Sequence, residues 1–127
     1  MSEREPFSPA ARVASFRHAL KGVGDTIRTQ HNVWIHSAVT AAVCATGLWV
    51  GLGGRDWAVI ALSIGGVWVA ELLNTALEHL CDVASPEFHP LVARAKDAAA
   101  GAVLIAAATA ATVGLLVLGP ALLDRLG

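Results

Sequence analysis

The second of three long apolar runs in this 127-residue chain, residues 57–80, contains carboxylates where a membrane-spanning helix tolerates few of them. Glu71, Asn74 and Glu78 follow one another at offsets of three and seven residues, which places them along one face of an α-helix. Asp82 falls close to the same line. A carboxylate at membrane depth is costly, so it normally faces a partner or a polar site. The pattern therefore predicts that this stripe is the functional part of the molecule.

Two further apolar runs lie on either side of residues 57–80. Residues 33–52 contain one His and no formal charge, and residues 98–118 contain no charge at all. At roughly 1.5 Å per helical residue, each of the three runs crosses or nearly crosses a hydrocarbon core of about 30 Å. Because 55% of the chain is hydrophobic and only 15% is charged, a water-soluble domain is a poor alternative.

A different periodicity precedes these runs. Apolar side chains repeat at steps of three and four over residues 13–27, and basic residues occupy mostly the other positions. Ser8 and Pro9 are typical of an N-cap followed by the first helical residue. The pattern predicts an amphipathic helix whose basic face suits an anionic cytoplasmic membrane surface.

Together these patterns predict an all-α membrane protein, with residues 1–127 forming a single domain. We expect an amphipathic surface helix and three transmembrane helices, at about 9–29, 32–52, 57–80 and 95–118. Residues 51–56 are expected to form a tight external turn, and residues 81–90 a cytoplasmic loop. The last span is expected to end at Gly119 and Pro120.

The distribution of the basic residues predicts how these helices are oriented in the membrane. Seven of the nine Lys and Arg residues precede the first span or separate the second from the third. Because cytoplasmic segments are enriched in Lys and Arg, we expect the N-terminus in the cytoplasm and the C-terminus outside. The seven are Arg4, Arg12, Arg17, Lys21, Arg28, Arg94 and Lys96, and the other two are Arg55 and Arg125.

The stripe on the second span suits phosphoryl transfer. That reaction needs a group that positions or deprotonates the nucleophile, and oxygen ligands for a metal–phosphate complex. Glu71 lies about 10 Å deeper along the helix than Glu78. A deep carboxylate can meet a lipid hydroxyl, whereas a shallower one can meet nucleotide phosphates held by Mg²⁺. The alternative is a polar cluster that only holds the helices together.

A second group of polar residues follows the stripe, over residues 82–97 on the predicted cytoplasmic side. Lys96 offers a cation for phosphate, and Asp97 offers a carboxylate that can steer a metal ligand or an adenine amine. The third span begins here, so its free N–H groups also favour an anion. The alternative is an ordinary positively charged loop with a capping acid.

Polar residues also mark the start of the first span. Gln30 and Asn32 are level with Glu78 if the helices align. His36, about one turn further in, either pairs with a buried acid or is a hydrogen-bonded core histidine. The basic residues of the surface helix are interpreted mostly as anchors whose charged ends reach the membrane interface.

With these residues in place, the chain resembles the small bacterial membrane kinases that comprise diacylglycerol kinase and undecaprenol kinase. The resemblance extends over residues 10–118. Its motifs, in chain order, are Ser15-Phe16-Arg-His18-Ala-Leu-Lys21-Gly22, Arg28-Thr-Gln30-His-Asn32-Val-Trp-Ile-His36, Glu71-Leu-Leu-Asn74-Thr-Ala-Leu-Glu78, Glu87-Phe88-His89-Pro90-Leu and Ala95-Lys96-Asp97-Ala-Ala-Ala-Gly101-Ala-Val.

The resemblance implies an ATP- and Mg²⁺-dependent kinase that phosphorylates a lipid alcohol at the cytoplasmic face of the bacterial inner membrane. It also implies a homotrimer with shared active sites, and no nucleic-acid partner is expected. Glu71 would accept the hydroxyl proton beside Asn74, while Glu78 and Gln30 would bind the metal. The implied lipid contacts are Glu71, Trp49 and Ala100, and the implied nucleotide-binding residues are Arg12, His18, Gln30, Glu78, Glu87, Phe88, His89, Lys96 and Asp97.

Gln30 departs from the family pattern, in which a second metal-binding Glu stands where the first span begins. Glutamine offers a carbonyl oxygen but no negative charge, so the metal would bind more weakly or rely more on Glu78 and the phosphates. The competing hypothesis is therefore a non-catalytic lipid-binding membrane protein, or a relative weakened at Gln30. Asn32 with His36, His79 after Glu78, and His89-Pro90-Leu resemble the undecaprenol kinase branch more than the diacylglycerol kinase branch, so the resemblance favours undecaprenol as the substrate.

Overall fold

The computed structural model describes residues 7–127, which form four α-helices and no strand. Three of the helices are long and apolar enough to cross a membrane. The predicted all-α architecture with three candidate spans is confirmed, whereas Arg4 lies outside the described residues. The helices are α1 (Pro9–Thr29), α2 (His31–Val50), α3 (Gly54–Ala84) and α4 (Pro90–Leu126).

Helix α1 begins as the sequence predicts. Ser8 has an extended backbone, and its side chain accepts a hydrogen bond of 3.4 Å from the Ala11 N–H, with Pro9 in the first turn. This arrangement satisfies one of the free N–H groups at the helix start. The apolar side chains of Val13 and Phe16 are 72% and 71% exposed, so the rest of the chain leaves this face of α1 uncovered.

A short turn joins α2 to α3. Gly51 ends α2 in the left-handed conformation, with φ of 75°, which glycine adopts without steric cost. Helix α3 begins at Gly54, so the turn is shorter than the predicted segment 51–56. Close packing accompanies the turn, since a Cβ on Gly47 would lie 2.7 Å from the Trp57 ring.

Helix α4 corrects the predicted end of the third span. The helix continues through Gly119 and Pro120 to Leu126, rather than ending at this pair. Proline lacks an N–H and so removes one backbone hydrogen bond, but the helix continues beyond it, and Leu122 in this segment lines a cavity between the helices. At its other end α4 begins at Pro90 and α3 extends to Ala84, which shortens the predicted loop over 81–90.

Few side chains of residues 7–127 are buried within one chain. The buried apolar residues are Val33, Ile60 and Val67, and α3 packs most extensively against α4. Large apolar side chains are exposed along every helix. A soluble domain would not leave so much apolar surface in contact with water, whereas lipid chains and other membrane helices match it.

The packing of Gly47 against Trp57 yields a stability prediction. We expect Gly47→Ala to destabilise the protein by about 1–3 kcal/mol, because the added methyl group forces the indole ring to move. The midpoint of thermal unfolding in detergent, followed by circular dichroism, measures this effect.

Gly22→Ala is the matched control, since a Cβ at Gly22 meets no atom within 4 Å. Alanine has the higher helix propensity, so this variant should unfold at or above the wild-type temperature. A Gly47→Ala protein as stable as Gly22→Ala would contradict the proposed close contact.

Candidate functional site

The buried face of α3 holds the deepest acid of the predicted stripe. Glu71 and Thr75 are each only 3% exposed, and their spacing of four residues places them on the same side of the helix as Val67. Asn74 and Glu78 are half-buried. The stripe therefore has a buried part, where Glu71 lies, and a more accessible part about two turns closer to the end of α3.

Glu71 forms its polar contact with the first span. The Nε2 atom of His36 on α2 lies 2.8 Å from Oε1 of Glu71. The side chain of His36 is 21% exposed and that of Glu71 is 4% exposed. Of the two alternatives that the sequence leaves open for His36, the structure shows the pairing with a buried acid.

A weaker contact links the other two members of the stripe. The Asn74 side-chain amide donates to Oε1 of Glu78 over 3.4 Å. Within the described part of the chain, the Asn74 Oδ1 and Thr75 Oγ1 atoms are buried and have no hydrogen-bond partner. Buried polar atoms are nearly always hydrogen-bonded, so an unpaired acceptor beside a carboxylate is a position where a ligand or cation fits.

Two cavities adjoin these residues. The first, which we call the α3–α4 cleft, has a volume of about 440 Å³ and is lined by Asn74 and by small or apolar side chains such as Ala99 and Ala102. The second, which we call the three-helix cavity, has a volume of about 660 Å³ and lies between α2, α3 and α4. Its lining is largely apolar and includes His36, so the Glu71–His36 pair borders apolar space.

An ion pair joins the cytoplasmic ends of α3 and α4, in the predicted orientation. The Lys96 Nζ atom donates to Oδ1 of Asp82 over 3.2 Å, and both side chains are substantially exposed. Lys96, which the sequence predicts to bind phosphate, therefore already has a carboxylate partner within the chain. Such exposed pairs contribute little to stability, so a phosphate group can compete for Lys96.

The loop between α3 and α4 presents its predicted nucleotide-binding side chains to solvent. Glu87, Phe88 and His89 are all exposed. Ser85 Oγ donates to the Glu87 carbonyl over 3.1 Å, and His89 Nδ1 accepts the Leu91 N–H over 3.2 Å as the N-cap of α4. Local hydrogen bonds thus fix this loop beside the start of α4.

Gln30 lies at the junction of α1 and α2. It is half-buried with an extended backbone, and its side chain makes no capping hydrogen bond to α2. Its amide oxygen is therefore not used by the helix start. Arg12 and His18 are exposed on α1, and the Arg12 guanidinium lies 5.4 Å from the centre of the Phe7 ring.

The two remaining predicted lipid contacts lie apart from each other along the bundle. Trp49 is near the end of α2, about 20 Å along the helix from His36, and the Arg125 guanidinium lies 5.6 Å from its ring centre. Ala100 is exposed near the start of α4. The structure thus brings Glu71 together with His36, and Asn74 with Glu78, but places Trp49 at the opposite end of α2.

The oxygen donors near the stripe can be compared with what Mg²⁺ requires. Over residues 7–127, no three His, Cys, Asp or Glu side chains come together in a way that could hold a metal ion. Mg²⁺ usually needs only one or two protein carboxylates, because phosphates and waters complete its octahedron. The Glu78 carboxylate, with the unpaired Asn74 Oδ1 in the same stripe, fits a metal that arrives with phosphate.

Two polar features of the site are absent from the sequence predictions. Thr75 is buried beside the stripe, and its spacing of four residues from Glu71 is the signal that places it there. Asp82 pairs with Lys96, which no local spacing indicates, because the residues lie on different helices.

Comparison with known proteins gives consistent matches over most of the chain. The family described as prokaryotic diacylglycerol kinase matches residues 17–118. Undecaprenol kinase of Bacillus subtilis (strain 168) is 45% identical over 108 residues, which cover 85% of this chain and 88% of the relative.

Two diacylglycerol kinases are also similar. The Synechocystis sp. protein is 43% identical over 113 residues, covering 88% of this chain and 65% of the relative. The Escherichia coli (strain K12) protein is 29% identical over 104 residues, covering 76% and 85% respectively. The matched segment includes the stripe on α3 and the start of α4.

Proposed function

The chain belongs to the prokaryotic diacylglycerol kinase family, and we propose that it transfers the terminal phosphate of ATP to the hydroxyl of a membrane lipid alcohol. It is a lipid kinase and a multi-pass bacterial membrane protein with three candidate spans. The observation that supports the proposed site best is Glu71, a buried carboxylate within an apolar helix, bonded at 2.8 Å to a histidine of the neighbouring span.

In the proposed reaction Glu71 is the proton acceptor. The lipid hydroxyl oxygen attacks the terminal phosphorus of ATP, the bond to the bridging oxygen breaks, and ADP leaves. The hydroxyl proton moves to the Glu71 carboxylate. Burial of this group keeps water, a competing nucleophile, away from the reacting oxygen. Asn74, one turn further along α3, is assigned to the reacting groups next to Glu71.

Nucleotide binding is assigned to the cytoplasmic end of the bundle. Lys96 provides a cation for the phosphates once it exchanges Asp82 for them, and Asp97 follows it in the first turns of α4. Their assignment is supported by the accessibility of this region. The other proposed nucleotide contacts are Arg12, His18, Gln30, Glu78, Glu87, Phe88 and His89.

Mg²⁺ is the proposed metal, with Glu78 and Gln30 as its protein ligands. When bound, it neutralises charge on the phosphates. The unpaired Asn74 Oδ1 supports this assignment, because it is a free oxygen on a side chain whose Nδ2 contacts Glu78. Gln30 supplies a neutral oxygen only, so most of the protein charge available to the metal comes from Glu78.

Undecaprenol is the preferred candidate substrate, and diacylglycerol is the second. The identity of 45% to an undecaprenol kinase supports this order, although a diacylglycerol kinase is 43% identical. Both substrates present a primary alcohol on a long lipid, so one site serves either. Trp49 and Ala100 are the proposed lipid contacts besides Glu71.

A homotrimer in the bacterial inner membrane is the proposed assembly. The extensive exposed apolar surface of the single chain supports contacts with lipids and with further copies. Neighbouring subunits would also provide polar groups that face the accessible part of the stripe on α3. The competing proposal is a lipid-binding protein without catalytic activity, for which the departure at Gln30 is the specific argument.

Labelled ATP distinguishes the two proposals. We expect purified protein in detergent to transfer ³²P from the terminal position of ATP to undecaprenol or diacylglycerol, each supplied separately. Glu71→Gln should lower turnover by at least about 100-fold, because it removes a proton acceptor while keeping the side-chain shape.

Asp56→Asn, which neutralises an exposed acid in the first turn of the same helix, is the matched control and should leave turnover unchanged. Size-exclusion chromatography verifies that both variants remain folded oligomers. No labelled lipid from wild-type protein would favour the non-catalytic proposal, and near-normal turnover by Glu71→Gln would remove Glu71 as the base.

The departure at Gln30 yields a metal prediction. We expect Gln30→Glu to lower the Mg²⁺ concentration that gives half-maximal activity, because a carboxylate binds this cation more strongly than an amide does. Mg²⁺ titrations at fixed ATP measure the shift. An unchanged Mg²⁺ requirement would show that Gln30 is not near the metal.

The proposed orientation is tested with reporter fusions. Alkaline phosphatase, which requires an oxidising compartment for its disulfides, should be active when fused after Gly127. The same enzyme inserted after Pro86, in the α3–α4 loop, should be inactive. The reverse result would show that the chain is inserted with its N-terminus outside.

A further inference from the structure

Glu71 depends on a single polar partner. Over residues 7–127, His36 is the one group that hydrogen-bonds the Glu71 carboxylate. Burying a carboxylate away from water is costly unless a hydrogen-bond donor compensates for it. An ionised carboxylate only accepts hydrogen bonds, so a Glu71 that acts as the proposed base requires His36 in the tautomer that carries its proton on Nε2 at this 2.8 Å contact.

The contact involves only one of the two oxygens of the Glu71 carboxylate. Oε1 is bonded to His36, which leaves Oε2 for another group. A general base has to lie within about 2.6–3.2 Å of the oxygen whose proton it takes, and a small displacement reduces the rate strongly. Fixing Oε1 from a neighbouring helix therefore fixes the direction in which Oε2 points.

We propose that His36 is a positioning residue for the lipid kinase reaction, which holds Glu71 through Oε1 so that Oε2 faces the substrate hydroxyl. This inference rests on the proposed function. His36 suits the role because it belongs to a different span from Glu71, and because its ring lines the three-helix cavity beside the buried carboxylate.

A purely structural role for His36 is the alternative, in which the bond only joins α2 to α3. The structure contains a second such bond for comparison. Trp68 Nε1 on α3 donates to Thr40 Oγ1 on α2 over 3.4 Å, about one turn along α2 from His36. Thr40→Val removes this inter-helix bond without touching Glu71 and has nearly the same shape.

The experiment compares three variants in the labelled-ATP assay. His36→Leu should lower kcat by about 10- to 100-fold with little change in the KM for ATP, because the carboxylate loses its orientation while the nucleotide site stays intact. His36→Gln has an amide N–H that reaches about as far as Nε2, so its kcat should be about tenfold higher than that of His36→Leu. Thr40→Val should keep kcat within twofold of wild type.

Thermal unfolding of each variant completes the comparison. If kcat falls equally in His36→Leu and Thr40→Val, and the fall follows the decrease in unfolding temperature, this result would overturn the positioning role. So would a His36→Gln protein no faster than His36→Leu; if His36→Leu does not fold, kcat of His36→Gln below one-hundredth that of Thr40→Val overturns it as well. Inactive wild-type protein would instead refute the proposed function itself, so the two failures are distinguishable.

Discussion

Within a hydrocarbon core, a polar side chain can find its partner only in protein or in a bound ligand, because water is absent. This constraint explains both the helical backbone and the placement of Glu71. The backbone satisfies its own hydrogen bonds, and the one deeply buried acid on α3 bonds to His36. The relative position of α2 and α3 at this depth is therefore tied to the group proposed to take the substrate proton.

The remaining polar groups of the stripe are less completely satisfied. Asn74 makes one long hydrogen bond to Glu78 and leaves its oxygen unpaired, and Lys96 pairs with Asp82 at an exposed position. The polar contacts therefore change along α3, from a buried pair at Glu71 to exposed, exchangeable contacts near the C-terminal end of the helix. This order suits a reaction that joins a membrane-bound alcohol to a phosphate from water.

Local patterns predicted the helices well, because apolar length, an N-cap and glycine at a turn act through neighbouring residues. They failed at Pro120, because a single missing N–H does not by itself end a helix whose other backbone groups still find partners. The stripe was predictable from spacing alone, whereas the partner of His36 was left open, since pairing across helices depends on how spans align. The Lys96–Asp82 pair was missed for the same reason.

Gln30 alone separates α1 from α2, so a change in the angle between the two helices has to occur at this residue. The backbone of Gln30 has only two freely variable torsion angles. The Trp34 side chain on α2 also bonds to α1, because its N–H donates to the Ile27 carbonyl over 2.6 Å. A change in the tilt of α2 must therefore rotate the backbone of Gln30, break the Trp34 bond, or lift α1. Tilting is one way in which a span accommodates a change in bilayer thickness, so membrane thickness is in this way mechanically linked to Gln30, the proposed metal ligand.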